Sequence, residues 1–179
     1  MTQDQKSVPV DPFTRPVEPD QRAPLLDRDV LKVPQIVQYR GPRRITYTKD
    51  GQEQHTTKHY FASQAGRGPW FSLWASADLD SQLRQLRTGA LFKIRYVGNV
   101  DQGDGTTRHT FDVRTTTATP QQIDTLRNMP EWKDAELSLL NAIAQAKATE
   151  EHRRDERRQA AEARGEEPPP PDDEDQPPF

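Results

Sequence analysis

Aromatic and basic side chains occur together between residues 43 and 108 of this chain, where they could share one chemical task. Flat aromatic rings stack on the bases of single-stranded nucleic acids, and cationic side chains follow the phosphates along a groove. The rings that could stack on bases are Tyr47, Tyr60, Trp70 and Trp74. The cations that could contact phosphates are Arg43, Arg44, Lys58, Lys93, Arg95 and Arg108. Together these residues predict a surface for single-stranded DNA.

Each of these residues also has an ordinary structural explanation. Aromatic side chains in strands usually belong to the core, and basic side chains usually lie on a solvated surface. A small domain has too little interior for two Trp, four Tyr and four Phe, so some rings should be exposed. In the segment 70–76, alternation places Trp70 and Trp74 on the face opposite Phe71 and Leu73. The two Trp residues are therefore the best candidates for stacking.

A second group of candidate residues lies at the C-terminus, where a run of acids precedes a terminal aromatic residue. The ring of Phe179 could fill a hydrophobic pocket of a partner while its α-carboxylate meets an Arg or Lys. A solubilising acidic tail is the plainer explanation, but an exposed ring adds nothing to solubility. The residues predicted to bind a partner protein are Asp172, Asp173, Glu174, Asp175, Pro178 and Phe179.

The formal net charge of −3 conceals a strong asymmetry along the chain. Residues 31–117 contain 13 Lys and Arg against 7 Asp and Glu, a net charge of +6. Residues 166–179 contain six acids and no basic residue, a net charge of −6. A basic body suits a polyanionic ligand, and an acidic tail suits a basic partner surface.

Several kinds of chemistry are excluded or disfavoured by the residues present. The chain has no Cys, which excludes disulfides, thiolate zinc sites and a cysteine nucleophile. His55 and His59 would lie about 13 Å apart along a strand, too far to share a metal ion. We therefore expect a binding protein and not an enzyme, with no catalytic residue, cofactor or metal site. Without an apolar run for a signal peptide or membrane span, the protein is expected to be soluble and intracellular.

Short runs rich in β-branched and aromatic residues predict about five strands. These runs cover residues 34–40, 44–48, 56–63, 70–76, 90–97 and 108–117. Turn residues separate them, including Arg40-Gly41-Pro42 and a hairpin at Lys49-Asp50-Gly51. In the run 90–97, alternation predicts that Phe92, Ile94 and Tyr96 face the core.

One short helix is predicted between the third and fourth strands. Leu79, Leu83 and Leu86 recur at helical spacing, Ser76 can cap the helix, and Gly89 can end it. Three strands, a helix and two further strands are the order of a five-stranded OB-fold barrel. The predicted fold class is therefore mainly β, an OB-fold barrel followed by a C-terminal helical segment.

The chain divides into four predicted regions. Prolines predict an extended, disordered N-terminal arm over residues 1–30, ahead of the OB-fold domain at 31–117. A helical, charged segment at 118–165 should open at Thr119-Pro120 and break at Pro130. Residues 166–179 should form a disordered acidic tail. The apolar stripe predicted on the second helix of the charged segment consists of Trp132, Leu139, Leu140 and Ile143.

The segment GPWFSLWASADLDSQLRQLRTGALFKIRYVGNVDQGDGTTRHTFDV, residues 68–113, resembles the OB-fold single-stranded DNA-binding proteins of bacteriophages and related mobile elements. Those proteins have an aromatic strand with Leu-Trp, then a helix, a Gly and a strand ending in Tyr-apolar-Gly. The C-terminus resembles the acidic tip of bacterial single-stranded DNA-binding proteins. The resemblance implies protection of single-stranded DNA during replication or recombination in the bacterial cytoplasm. It also implies recruitment of replication, repair or recombination proteins through the tip.

Two other functions stay open at this point. An OB-fold protein can act as a structural protein or adaptor that binds protein and not DNA. A small enzyme, or an enzyme subunit, acting on nucleic acid is the third hypothesis. Quenching of Trp fluorescence by oligo(dT) separates them, because only stacking on Trp70 or Trp74 produces it without altering the DNA.

Overall fold

A computed structural model describes residues 23–49, 51–103 and 106–165 of the chain. The residues 1–22 and the acidic tail 166–179, both predicted to be disordered, lie outside this description. The elements are β1 (Gln35–Lys49), β2 (Gln52–Ala62), β3 (Trp70–Trp74), α1 (Ala77–Leu83), β4 (Leu91–Asp101), β5 (Thr107–Thr115), α2 (Pro120–Arg127) and α3 (Pro130–Ala163). Two short 3-10 helices, Arg28–Lys32 and Gln64–Gly66, complete them.

The five strands form one antiparallel sheet in the order β3-β2-β1-β4-β5. The predictions of a mainly β architecture, five strands and a helix between the third and fourth are confirmed. Closing this order into a barrel would require β3 to pair with β5, and the described residues of these strands do not pair. The sheet is therefore open along this line, which we call the β3–β5 seam.

Both edges of the seam are occupied by other hydrogen-bonding groups, which explains why the strands do not meet there. At β3, Ser72 N donates to Pro24 O and Leu26 N donates to Ser72 O, each at 2.9 Å. At β5, Phe111 N donates to the Asp78 carboxylate at 2.7 Å, and Val113 N donates to Gln82 Oε1 at 3.1 Å. Backbone groups of a strand edge that are already hydrogen-bonded are not available to pair with another strand.

The N-terminal residues that the structure describes pack against the sheet. Leu31 is completely buried and Leu26 nearly so, and both belong to the main core. Residues 23–30 were predicted to belong to the disordered arm, and that part of the prediction is wrong. Prolines suppress helix and strand signals in the sequence, but they do not prevent an extended segment from pairing with a strand edge.

The first two predicted strands are one continuous strand, β1. The turn predicted at Arg40-Gly41-Pro42 is instead a β-bulge, where the register shifts between Tyr39 and Gly41. Gly41 has a φ of +108°, which a residue with a side chain rarely adopts. Pro42 is tolerated because β4 pairs only with residues 35–38, so β1 has a single partner beyond the bulge.

The core lies between the inner face of the sheet and the helices. Phe92 and Ile94 are completely buried and Tyr96 nearly so, which confirms the alternation predicted for β4. The rings of Phe61 and Phe71 stack with their centroids 5.2 Å apart. Burial of such side chains contributes about 1.5–3 kcal/mol each relative to exposure, so this cluster is a main source of stability.

Helix α1 begins as predicted, because the Ser76 hydroxyl accepts a hydrogen bond from Leu79 N at 3.3 Å. It ends at Leu83, earlier than the Gly89 predicted as its stop. Leu79 and Leu83 are buried, whereas Leu86 lies beyond the helix and packs on the core only partly.

The segment predicted to be helical forms α2 and α3, separated at Pro130 as expected. Thr119 and Gln122 form a capping box at the start of α2. Leu139 and Ile143 of α3 are buried in the same core as the sheet, and Gln35 Nε2 donates to Ala135 O at 2.8 Å. The first half of α3 is therefore part of the folded body. No helix within the described ranges is long and apolar enough to cross a membrane.

Candidate nucleic-acid interface

The outer face of β1, β2 and β3 collects five of the ten residues predicted to bind DNA. Arg43 of β1 lies directly opposite Lys58 of β2, and Lys58 lies directly opposite Trp74 of β3. Residues opposite each other in an antiparallel pair point to the same face, so these three form one cross-strand row. We define the cation–aromatic face as this row together with Arg40, Tyr47 and Trp70, which lie on the same side of the sheet.

Each Trp on the cation–aromatic face carries a cation against its ring. Lys58 Nζ lies 4.8 Å from the centroid of the Trp74 ring, and Arg40 Cζ lies 4.6 Å from that of Trp70. Both distances fall within the range of about 6 Å for cation–π attraction. The attraction orients each indole and leaves a positive charge beside it. A ring and a cation in contact match the alternation of base and phosphate along a nucleic-acid strand.

Arg40 is the more deeply packed of the two cations, and the sequence did not single it out. Burial lowers the pKa of its guanidinium, whose Nη2 lies 3.4 Å from Gly66 O. Its Nε is buried without a hydrogen-bond partner among the described residues. Arg40 therefore serves to hold Trp70 in place more than to reach a ligand.

Tyr47 lies near the end of the β1–β2 hairpin, beyond the part of β1 that pairs with β4. Its side chain is 40% exposed, and its hydroxyl donates to Gln54 Oε1 at 3.0 Å. This hydrogen bond restrains the ring while leaving it accessible. Tyr47 can therefore extend the cation–aromatic face along the hairpin.

Lys93 and Arg95 form a second basic surface on the outer face of β4. Lys93 lies opposite Arg114 of β5, and Arg95 lies opposite Asp112. Arg95 Nε donates to Lys32 O at 3.2 Å, and Arg114 Nε donates to Asp112 Oδ1 at 2.9 Å. We call Lys93 and Arg95 together the β4 basic surface. It presents charge without an adjacent aromatic ring in the register, so it can contact phosphates and not bases.

Three predicted binding residues do not belong to either surface. Tyr60 lies on the same side of β2 as Lys58 but is only 1% exposed, so it cannot stack on a base. Arg44 follows Arg43 in β1 and points to the opposite side of the hairpin. Arg108 donates to Asp78 at 3.1 Å, and this ion pair neutralises its charge beside α1.

A hydrogen-bonded network of three side chains behind the cation–aromatic face was not predicted from the sequence. His59 Nε2 donates to Asp80 Oδ1 at 2.5 Å, and the Tyr39 hydroxyl lies 2.9 Å from His59 Nδ1. Burial, together with the charge of Asp80, raises the pKa of Tyr39 to about 12. The three residues come from β1, β2 and α1, so no local spacing relates them. They tie α1 to the back of the strands that carry Lys58.

Comparison of the chain with protein-family models, with curated proteins and with solved structures gives no match. The predicted partner-binding residues, from Asp172 to Phe179, lie outside the residues that the structure describes.

Proposed function

We propose that this protein binds single-stranded DNA, with little sequence preference, through the cation–aromatic face. The observation that carries the proposal is the placement of Lys58 on Trp74 and of Arg40 on Trp70, side by side on one face. A base can stack on an indole ring whatever its identity, because every base has a π face. Lys58 beside Trp74, and Arg43 opposite Lys58, then meet the phosphates. This chemistry gives affinity without reading sequence.

The same surface favours a single strand over a duplex. The bases of a duplex are already stacked on one another, so they offer no face to Trp70 or Trp74. Phosphates alone would then supply the binding energy, which salt weakens steeply. A single strand engages both the rings and the cations. Protection of single strands during replication or recombination is the role that follows from this preference.

We also propose that the sheet is an incomplete OB-fold. OB-folds are five-stranded and partly open, and they bind oligonucleotides on the face of strands 2 and 3 and with the loops between strands 1 and 2 and between strands 4 and 5. Here Lys58, Trp70 and Trp74 lie on β2 and β3, and two long hairpins join β1 to β2 and β4 to β5. The seam between β3 and β5 is the place where such a barrel would close.

The proposal is tested by titrating the full chain with oligo(dT) while following Trp fluorescence at low salt. Replacing Trp132 of α3 by Phe removes the signal of the one Trp that is not on the cation–aromatic face. Strong quenching by the single strand and weak quenching by the matching duplex are expected. Equal responses to both, or none to either, would contradict the proposal. No response to DNA would favour the adaptor, and cleaved or altered DNA would favour an enzyme.

The acidic tail is proposed to recruit replication, repair or recombination proteins. The support is the net charge of −6 in residues 166–179 followed by a terminal aromatic ring. Phe179→Ala removes the ring and keeps every acid, so it should abolish capture of these partners in a pull-down from host extract. Gln176→Ala is the matched control and should retain them. If Phe179→Ala retains every partner, the tail is only a solubilising run of charge.

A further inference from the structure

The β3–β5 seam contains a cavity of about 440 Å³, which has no part in the binding proposed for the cation–aromatic face. Small-molecule sites typically have volumes of about 300–1,000 Å³, so this cavity is large enough for a ligand. Its walls come from the segment 25–29, from the end of β3, and from β4 and β5. Because β3 and β5 do not pair along the seam, side chains and not backbone hydrogen bonds surround this space.

Three polar side chains converge on one wall of this cavity and bond to one another. The Tyr96 hydroxyl donates to Asn99 Oδ1 at 2.5 Å and lies 3.0 Å from His109 Nδ1. His109 Nδ1 also lies 2.5 Å from Asn99 Oδ1. Because that amide oxygen can only accept, Nδ1 carries the imidazole proton. Burial, and next the nearby Arg28, lower the pKa of His109, so the ring is neutral at neutral pH.

This network leaves one donor and one acceptor for a ligand. A neutral imidazole protonated at Nδ1 has an acceptor at Nε2, and the Asn99 amide has a donor at Nδ2. Neither atom bonds to another residue in the described ranges. A donor beside an acceptor is the pattern that the edge of a nucleobase satisfies.

The remaining walls suit a flat, uncharged group. Trp74 and the largely buried Phe111 supply aromatic surface. Asp27, Arg28 and Asp29 also line the cavity, and Asp29 pairs with Lys32 at 2.8 Å. Arg28 and Lys32 balance the charge of the two carboxylates, and the donor of Asn99 and the acceptor of His109 are uncharged. The lining therefore suits an uncharged base better than a phosphate.

We infer that the seam cavity receives one nucleobase of the bound single strand, turned out of the stack and hydrogen-bonded by Asn99 and His109. This inference rests on the proposed function, because the base arrives as part of a strand on the cation–aromatic face. Trp74 links the two sites, since it belongs to that face and also lines the cavity. A base that leaves the strand beside Trp74 enters the cavity directly, and its phosphate stays outside near Lys58.

The test compares oligo(dT) with an abasic oligomer of the same length, using fluorescence anisotropy and the full chain. His109→Phe keeps a ring of similar size and removes the acceptor, while Asn99→Asp keeps the oxygen that Tyr96 needs and removes the donor. Each variant should bind oligo(dT) about three- to tenfold more weakly than the intact chain does, as expected for one lost hydrogen bond. Its affinity for the abasic oligomer should equal that of the intact chain. Lys93→Ala is the control, and it should weaken binding to both oligomers equally.

The outcomes separate this inference from the proposed function. If the intact chain binds oligo(dT) and folded His109→Phe and Asn99→Asp bind it equally well, the inference is overturned and the proposed function stands. If the intact chain binds neither oligomer, both are overturned. A second measurement needs no variant. Photocrosslinking of oligonucleotides containing 5-iododeoxyuridine should label Tyr96, Phe111 or His109, and labelling confined to Tyr47 and Trp70 would overturn the inference.

Discussion

The two halves of the sheet carry similar charge on their outer faces but use it differently. On β1–β3, Lys58 and Arg40 lie over indole rings at 4.8 and 4.6 Å. On β4, Arg95 donates to a backbone carbonyl, and the neighbouring Arg114 pairs with Asp112. The first half can bind bases and phosphates together, whereas the second can bind phosphates alone. A count of cations would not distinguish them.

The inner faces of the two halves show a parallel contrast. Each contains a Tyr hydroxyl close to a His Nδ1, at 2.9 Å for Tyr39 with His59 and at 3.0 Å for Tyr96 with His109. His59 is buried and its other nitrogen donates to Asp80. His109 is only partly buried and lines the seam cavity. A Tyr–His contact therefore connects structural elements in the β1–β3 half, whereas the equivalent contact in the β4–β5 half lines the seam cavity.

The largest expected effect is the loss of a stacking ring from the β1–β3 half. Trp74→Ala should weaken binding of oligo(dT) by about 1–3 kcal/mol, or about 5- to 150-fold, because one stacked base is lost. Anisotropy titrations measure the affinity, and circular dichroism checks the fold. Lys93→Ala from the β4 half should cost far less. If the two variants lose equal affinity, the contrast between the halves does not hold.

The second effect distinguishes the two Tyr–His pairs by the pH dependence of stability. The pKa of Tyr39 is about 12 in the folded chain against 10.0 for an ordinary tyrosine, so the unfolded chain loses this proton first. The stability due to its neutral form is complete below pH 10 and is lost as pH rises through 12. The free energy of unfolding should fall by about 2–3 kcal/mol over this interval.

Urea unfolding at a series of alkaline pH values measures this fall. Tyr39→Phe should remove that part of the pH dependence, although the variant loses some stability at all pH values because His59 loses a partner. Tyr96→Phe should leave the alkaline step in place. An alkaline step that survives in Tyr39→Phe would assign it to other groups.

The smallest effect concerns the phosphate contacts of the β4 half. Replacing Lys93 and Arg95 by Ala should lower affinity modestly and uniformly across DNA sequences. The plot of log affinity against log salt concentration should become shallower by about 1 for each phosphate contact removed. Salt titrations of the double variant and of Trp74→Ala provide the comparison, because the latter should keep the original slope. An unchanged slope in the double variant would remove the β4 basic surface from the DNA path.

Features that depend on a few neighbouring residues could be predicted from the sequence. Ser76 caps α1, and Thr119 with Gln122 caps α2, because these side chains reach backbone N–H groups within three residues. The burial of Phe92 and Ile94 follows from alternation along one strand. Alternation also placed Trp70 and Trp74 on the face opposite Phe71, where the structure has them half-buried.

Features that depend on distant residues could not be predicted in this way. Tyr60 is buried, whereas Tyr47 on the same side of the β1–β2 hairpin is 40% exposed. The ion pair of Arg108 depends on Asp78, thirty positions earlier in the chain. The local sequence predicts the same role for Tyr60 as for Tyr47, and the same role for Arg108 as for Arg43. It contains no information on which distant segment covers or pairs with a side chain.

The sequence by itself determined that the chain is mainly β, where most strands lie, where each major helix starts, and the charge contrast between body and tail, because each of these depends on residue type and short spacing. Only the tertiary structure decided that the sheet stays open, that Lys58 lies on Trp74, and that Asn99 and His109 line a cavity. The open sheet depends on competition for strand edges, in which residues 24–26 and the side chains of Asp78 and Gln82 occupy positions that strand pairing would otherwise take. The other two outcomes depend on which strands pair and in which register. Such competition is settled by the whole fold, since each edge has one set of hydrogen-bonding groups and several possible partners.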